Sequence, residues 1–405
     1  MRQNRFRVAS AFAGHGANVR GLEPEGGLVP SSYGFLSTYP PTQCGLATFT
    51  AALRGSLNSE AHGDRAGVVR VVDGPVTSQT PEVVGYLQNG APDAHRVAAE
   101  ALNSFDVAVI QHEYAIYGGP DGDGILAVLD GLRVPTVVIA HTVLADPTPH
   151  QRHVLEQVVS AADAVVTMTE AARQRLITGY DVDATKLALI PHGASPRGNH
   201  DGAPAGSRPM ILTWGLLGPG KGIEWAIDGL QQLRRLQPLP EYVVAGQTHP
   251  RVRQRQGESY RIQLGNRARA VGVAGLVRFE RTYLDDAALT RLIRRADVVL
   301  VPYDSRELVT SGVLAEAVAA GKPVVATAFP HAVELLSGDT GLLVPQYDGA
   351  AIGAALYRVL TEPDLARRMA AEASRLAPQM RWSTVADQYR SLAARLLATR
   401  TSVAS

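Results

Sequence analysis

A chain of 405 residues exceeds what one ordinary hydrophobic core organises, so two domains are expected. Lysine and arginine number 39 against 38 aspartate and glutamate, and this net charge of +1 gives no overall pull toward nucleic acid. Cys44 is the single cysteine, which excludes an intrachain disulfide and a cysteine-based metal cluster, and no apolar run approaches the roughly 18 residues that span a bilayer.

Arg2, Arg5 and Arg7 precede Val8 to Ala13, a faint imitation of a signal peptide whose apolar part is short and runs into glycines. Residues 1–30 are read as a poorly ordered leader and the protein as cytoplasmic, with peripheral membrane contact left open. From there strands and helices alternate. Strands are expected over residues 33–38, 68–72, 106–111, 136–140, 164–168 and 187–191, and helices over 44–57, 94–103, 125–131 and 151–161. This alternation argues for a parallel, doubly wound sheet with its ligand crevice at the carboxyl ends of the strands.

His112, His141 and His192 each follow an expected strand, which places them at that crevice. The alternative is that each is a loop histidine bonded to backbone. Metal binding by the three is disfavoured, because they come from different strands with no local ligand spacing. Gly45, where the first strand passes into a helix, is either a turn residue or part of a phosphate-facing loop.

Residues 198–209 lie in a Gly-, Pro- and Ser-rich stretch without periodicity and are assigned as an interdomain linker. A second series follows, with strands over 210–214, 242–245, 276–279, 297–301, 324–327 and 340–344. Its helices are expected over 224–235, 259–271, 285–295, 310–320, 329–335, 350–360, 364–376 and 384–397. Between its first strand and helix stands GLLGPGKG, which resembles a phosphate loop with Gly215, Gly220 and Lys221 in place. Gly222 occupies the position where a Ser or Thr would hold magnesium, which argues against a P-loop ATPase or GTPase. Lys221 is then either a phosphate ligand or a solvated loop lysine.

The stretch YDSRELVTSGVLAEAVAAGKPVV, residues 303–325, concentrates the functional signal. Ser311 is the expected N-cap of a helix that is apolar nearly all round, apart from Glu316. A carboxylate there is costly unless something hydrogen-bonds it. Backbone N–H groups at Thr310, Ser311, Gly312 and Val313 suit a phosphate, with Glu316 a turn inward accepting from sugar hydroxyls. Alternatively, Glu316 pairs with a buried arginine and Ser311 only caps.

A carboxylate, a small-residue loop and a second Glu in an apolar helix running into AAGKPVVAT resemble the family-4 (GT4-like) retaining glycosyltransferases of the GT-B fold. The resemblance covers nearly the whole chain from Tyr33 and is strongest over residues 214–345. It implies two doubly wound, Rossmann-like α/β domains facing across a cleft. The family places two glutamates either side of seven residues; Glu316 matches the second, but Leu308 stands at the first and Glu307 one place early. By resemblance His141 contacts the transferred sugar, Lys221 the donor diphosphate, and the loop at Gly45 closes over both substrates. Leu216 replaces the family's usual arginine, leaving Arg251, Arg253, Arg278 and Arg281 as candidates for the missing cation. His112 and Glu113 have no general counterpart and are assigned, with His192, to the acceptor side.

The resulting expectation is a retaining, metal-independent hexosyltransferase with no cofactor beyond its co-substrate, a nucleotide-diphosphate sugar of GDP-mannose or UDP-glucose type. The acceptor is a sugar, a glycan or a lipid-linked sugar. Residues 31–197 form the acceptor-side domain, 210–380 the donor-side domain, and 381–405 a helix crossing back to the first. Two rivals are a nucleotide-sugar epimerase of the same architecture and a non-catalytic, two-lobed sugar-binding protein. The Lys221 loop disfavours the latter, because a neutral sugar needs no diphosphate cradle.

Overall fold

Runs rich in valine and isoleucine, buried on both faces, form two parallel sheets in the computed structural model, which describes residues 31–58, 61–76, 80–197 and 207–404. The expected leader (1–30) and most of the expected linker lie outside the described residues. The first half runs β1 (Ser32–Ser37), α1 (Gly45–Leu57), β2 (Arg65–Val72), β3 (Val83–Gln88), α2 (Ala94–Leu102) and β4 (Val107–His112). It continues through α3 (Ile125–Asp130), β5 (Thr136–Ala140), α4 (Pro149–Ala161), β6 (Ala164–Thr167), α5 (Glu170–Gly179) and β7 (Leu187–Leu189). The second half begins β8 (Met210–Trp214), α6 (Ile223–Gly229), β9 (Glu241–Ala245), α7 (Pro250–Gln256), α8 (Ser259–Ala270), β10 (Val277–Glu280) and α9 (Asp286–Arg295). Then come β11 (Val298–Val301), α10 (Gly312–Ala319), β12 (Val324–Thr327), α11 (Pro330–Leu335), β13 (Gly341–Val344), α12 (Gly349–Thr361), α13 (Pro363–Leu376) and α14 (Trp382–Ala404).

The strand orders are β3-β2-β1-β4-β5-β6-β7 and β10-β9-β8-β11-β12-β13. In each sheet the chain order reverses once, between β1 and β4 and between β8 and β11, and ligands in such sheets gather outside that point. Successive side chains of one strand serve opposite cores. Phe35 packs with Phe49, Leu53 and Leu57 of α1, and Leu36 with Val69, Ala98 and Leu102 on the other face. The final helix returns to the first sheet, setting Trp382, Val385, Tyr389 and Leu392 into the core that holds Phe35.

Three elements have no counterpart in the sequence reading. Strand β3 lies at a sheet edge, contains Gly85 and leaves Val84 53% exposed, so it shows no apolar run. Helix α5 buries only Ala172 and Leu176, and α7 buries none of its residues, so neither carries a helical stripe. The reading that His112 follows its strand is also corrected. Strand β4 extends through it, because pairing with Ala140 of β5 carries the ladder one residue further.

Candidate functional site

The loops leaving β1, β4, β8 and β11 converge where the lobes meet. After β11 the chain enters α10 through Ser311, whose Oγ accepts from Leu314 N at 3.2 Å, a side-chain N-cap. The Ser311 N–H donates to His331 Nδ1 at 2.8 Å, so it is already engaged. Gly312 and Val313 then supply first-turn amides that have no acceptor within the helix. Thr310 Oγ1 beside them is buried without a partner. A Cβ at Gly312 would stand 3.0 Å from His192 Nε2, so the glycine lets that imidazole lie against the helix start.

Lys221 Nζ lies 4.1 Å from the centroid of the Tyr303 ring, a cation–π contact that leaves its charge available to an anion. The glycine that follows has a steric cause. Gly222 has φ 61°, and a Cβ there would come within 1.8 Å of Pro302 O.

Glu316 realises the arginine pairing. Arg197 Nη2 stands 3.1 Å from Glu316 Oε2, while its Nη1 donates to Asp286 Oδ1 at 2.5 Å and Thr290 Oγ1 at 2.7 Å. Trp214 also hydrogen-bonds the carboxylate. Arg197 is 3% exposed and Glu316 keeps 18%, so the acid is held but not sealed. Burial pushes the Glu316 carboxyl up, against the pull of the Arg197 guanidinium. Glu307 turns to the facing lobe, where its Oε2 accepts from Ala145 N at 2.6 Å and lies 3.5 Å from Arg175 Nη1. Arg175 also donates to the carbonyls of Arg306 and Glu307, at 2.7 and 3.1 Å.

The histidines gather. His141 and His192 meet the Phe49 ring edge-on, with centroids 4.9 and 5.0 Å away. His141 Nε2 is bonded to Gln111 Oε1; a carbonyl oxygen there requires the proton on Nε2. Burial lowers His141 to about 3, helped by His192 and His112, and lowers His112 and His192 to about 4. His331 is likewise lowered by burial to about 3. All four are therefore neutral at pH 7 and serve as hydrogen-bonding groups rather than cations. Glu113, pushed up by burial, accepts from Thr142 Oγ1 at 2.5 Å.

Gly45 opens α1 behind its N-cap Cys44, and a Cβ there would meet open space. Beside it Gln247 Nε2 donates to Gln43 Oε1 at 2.6 Å, and the Thr48 and Tyr283 hydroxyls lie 3.4 Å apart. Of the four candidate arginines, Arg278 is taken by Glu241 and Glu280, and Arg251 donates to the Ala115 carbonyl. Arg253 and Arg281 open onto a separate groove along α8. Among the described residues no group of three or more His, Cys, Asp or Glu is arranged to hold a metal ion, and no helix is long and apolar enough to cross a membrane.

Sequence reasoning missed Arg197, Arg175, His331 and Glu334. Glu334 accepts from the Glu170 and Ala171 amides at 2.9 and 3.0 Å, latching α11 to the start of α5. Arg197 stands in a stretch with no periodic signal at all. His331 follows β12 closely, so the strand-end rule applied to the other histidines would have found it.

Two family models match the chain: Glycosyltransferase Family 4 over residues 55–197 and Glycosyl transferases group 1 over residues 208–362. The D-inositol 3-phosphate glycosyltransferase of Kineococcus radiotolerans is 29% identical over 269 residues, 60% of this chain and 59% of that protein. The match to that relative thus spans about three-fifths of its length. The enzyme of the same name from Frankia alni is 29% identical over 368 residues, 84% of this chain and 86% of its own. Among solved structures, sucrose-phosphate synthase from Thermosynechococcus elongatus superposes with a TM-score of 0.74 at 19% identity, covering 91% of this chain and 99% of that one. Anabaena Alr3699/HepE in complex with UDP-glucose gives 0.70 at 18% identity, with 91% and 100% covered. These structures share the fold. The chain belongs to the family-4 (GT4-like) glycosyltransferases and has the GT-B fold.

Proposed function

We propose that the protein is a retaining, metal-independent hexosyltransferase that takes its sugar from a nucleotide-diphosphate donor of UDP-glucose or GDP-mannose type. The acceptor class is a sugar, a glycan or a lipid-linked sugar. The supporting observation is the start of α10, where the amides of Gly312 and Val313 have no acceptor within the helix and Thr310 Oγ1 beside them is buried without a partner. Such atoms are costly to leave unpaired, and a ligand rich in hydroxyl and phosphate oxygens would satisfy them.

In this reading the amides of Gly312 and Val313 hold the diphosphate, and Lys221 offsets the charge that grows on the leaving phosphate. Glu316 accepts from the ribose hydroxyls through the oxygen that Arg197 does not hold. His141, neutral, orients the hexose by hydrogen bonding. The acceptor hydroxyl attacks C1 from the face the phosphate leaves, the C1–O bond to phosphate breaks, and the hydroxyl proton passes to the departing phosphate oxygen. His112, Glu113 and His192 line the acceptor side, and Glu307 joins the lobes over the bound sugar. That Anabaena HepE is solved with UDP-glucose favours this donor as the first to test.

Thermal unfolding with UDP-glucose, GDP-mannose, UDP and GDP tests the reading. A donor at about a hundred times its Kd stabilises the fold by about 2.7 kcal/mol. A panel in which no nucleotide sugar moves the transition would overturn the assignment, and conversion of the donor to an isomer without acceptor would replace it with an epimerase.

A further inference from the structure

Away from the cleft, α8 and the edge strand β10 enclose a groove of about 590 Å³. That size suits a small molecule, for which sites typically run about 300–1,000 Å³. Arg253, Arg261, Arg269 and Arg281 line it, against the single carboxylate of Glu258. Glu258 is already occupied: it accepts from the Thr248 hydroxyl at 2.7 Å and from Arg261 Nε at 3.1 Å. Arg261 is 6% exposed, its Nη2 donates to Gly246 O at 3.0 Å, and its Nη1 has no partner. A buried guanidinium N–H left unpaired is costly, and the forked geometry of arginine matches phosphate oxygens. Phe279 gives the groove an apolar wall for the body that carries the phosphate.

We propose that this groove binds a phosphate ester at a site separate from the donor position in the cleft. It goes beyond the transfer reaction proposed above and does not depend on it. Gln247 links the two places. It lines the groove, its carbonyl accepts from Leu217 N in the Lys221 loop at 2.9 Å, and its side chain reaches Gln43 of the facing lobe. A ligand here therefore bears on the loop that presents Lys221.

The test is calorimetric titration of the full chain with glucose 6-phosphate, inorganic phosphate and glucose. It compares the wild type, Arg269→Ala with Arg281→Ala, and Lys221→Ala. Arg269 and Arg281 are exposed, so the double variant keeps the fold, which its unfolding temperature verifies. Binding of glucose 6-phosphate but not glucose, weakened about tenfold or more in the double variant and unchanged in Lys221→Ala, supports the site. Sedimentation with phosphatidylglycerol vesicles that is lost in the double variant supports it too, and assigns the phosphate to a lipid headgroup instead of a soluble ester. The proposal falls if neither phosphate probe nor the vesicles bind, if the double variant binds as well as wild type, or if Lys221→Ala alone abolishes binding.

Discussion

Replacing Arg197 with methionine tests the clamp on Glu316. The guanidinium, 3% exposed, reaches Glu316 at 3.1 Å and Asp286 at 2.5 Å. Asp286 is 77% exposed and returns to water at little cost, so the loss falls on Glu316. Removing one partner of a buried pair costs about 3–5 kcal/mol, and the partial exposure of Glu316 together with proton uptake lowers this to about 2–3 kcal/mol at pH 8. Burial already holds the Glu316 carboxyl above its ordinary 4.5, and losing Arg197 raises it further. Between the two values the folded chain keeps a proton that the unfolded chain has released. The variant's deficit relative to wild type therefore grows as pH rises from the wild-type folded value, itself above 4.5, to the higher folded value of the variant, and shrinks at lower pH. Glu316→Gln in the Arg197→Met background removes the stranded charge and restores about 1–2 kcal/mol. Urea unfolding of the four proteins at pH 5 and pH 8 measures all of this. A single variant within about 0.5 kcal/mol of wild type at pH 8, or a loss independent of pH, refutes the reasoning.

Lys221→Ala is expected to slow transfer about 10²–10³-fold while moving the urea midpoint little, since its cation–π contact contributes about 0.5–1 kcal/mol; wild-type turnover would remove it from the donor site. Folded His112, His141, His192 and His331, at about 3 to 4, lie below the ordinary 6.5, so their stabilisation is complete above 6.5 and lost as pH falls toward the folded values. Each then contributes a slope of up to about 1.4 kcal/mol per pH unit, and unfolding titrations between pH 7 and 5 that stay flat would contradict their burial. Glu334→Ala frees the α5 amides at a cost of about 1–2 kcal/mol and lets the lobes part, which small-angle scattering reads as a larger radius of gyration; an unchanged radius rejects the latch.

The central strands were legible because they are apolar on both faces. The expected runs 136–140, 210–214 and 324–327 coincide with β5, β8 and β12. Helix α10 was legible from its ends, Ser311 as cap and Gly321 at φ 65° beyond it. Strand β3 and helices α5 and α7 were not, since little or none of their surface is buried. In the site, the single acid on α10 and the lysine loop stood out from local chemistry. The partner of that acid did not, because Arg197 reaches Glu316 through tertiary packing that no spacing encodes. The same holds for Arg175 on Glu307 and Glu334 on α5, contacts between lobes far apart in sequence. Lys322 of the GKPVV run is explained only by the fold: its Nζ satisfies the carbonyls of Arg294 and Ala296 at the end of α9.

Helix α14 covers the flank of α1 with Trp382, Val385, Tyr389 and Leu392, and Arg390, 4% exposed, binds Asp64 at 2.7 Å. On the ribosome, the lobe made first therefore emerges without the cover of Trp382, Val385, Tyr389 and Leu392 on its α1 flank, and it stays uncovered until every strand of the other lobe has been synthesised. Packing of the first lobe is thus completed only when the last helix of the chain has been made, and a chain that stops short of it keeps that flank exposed.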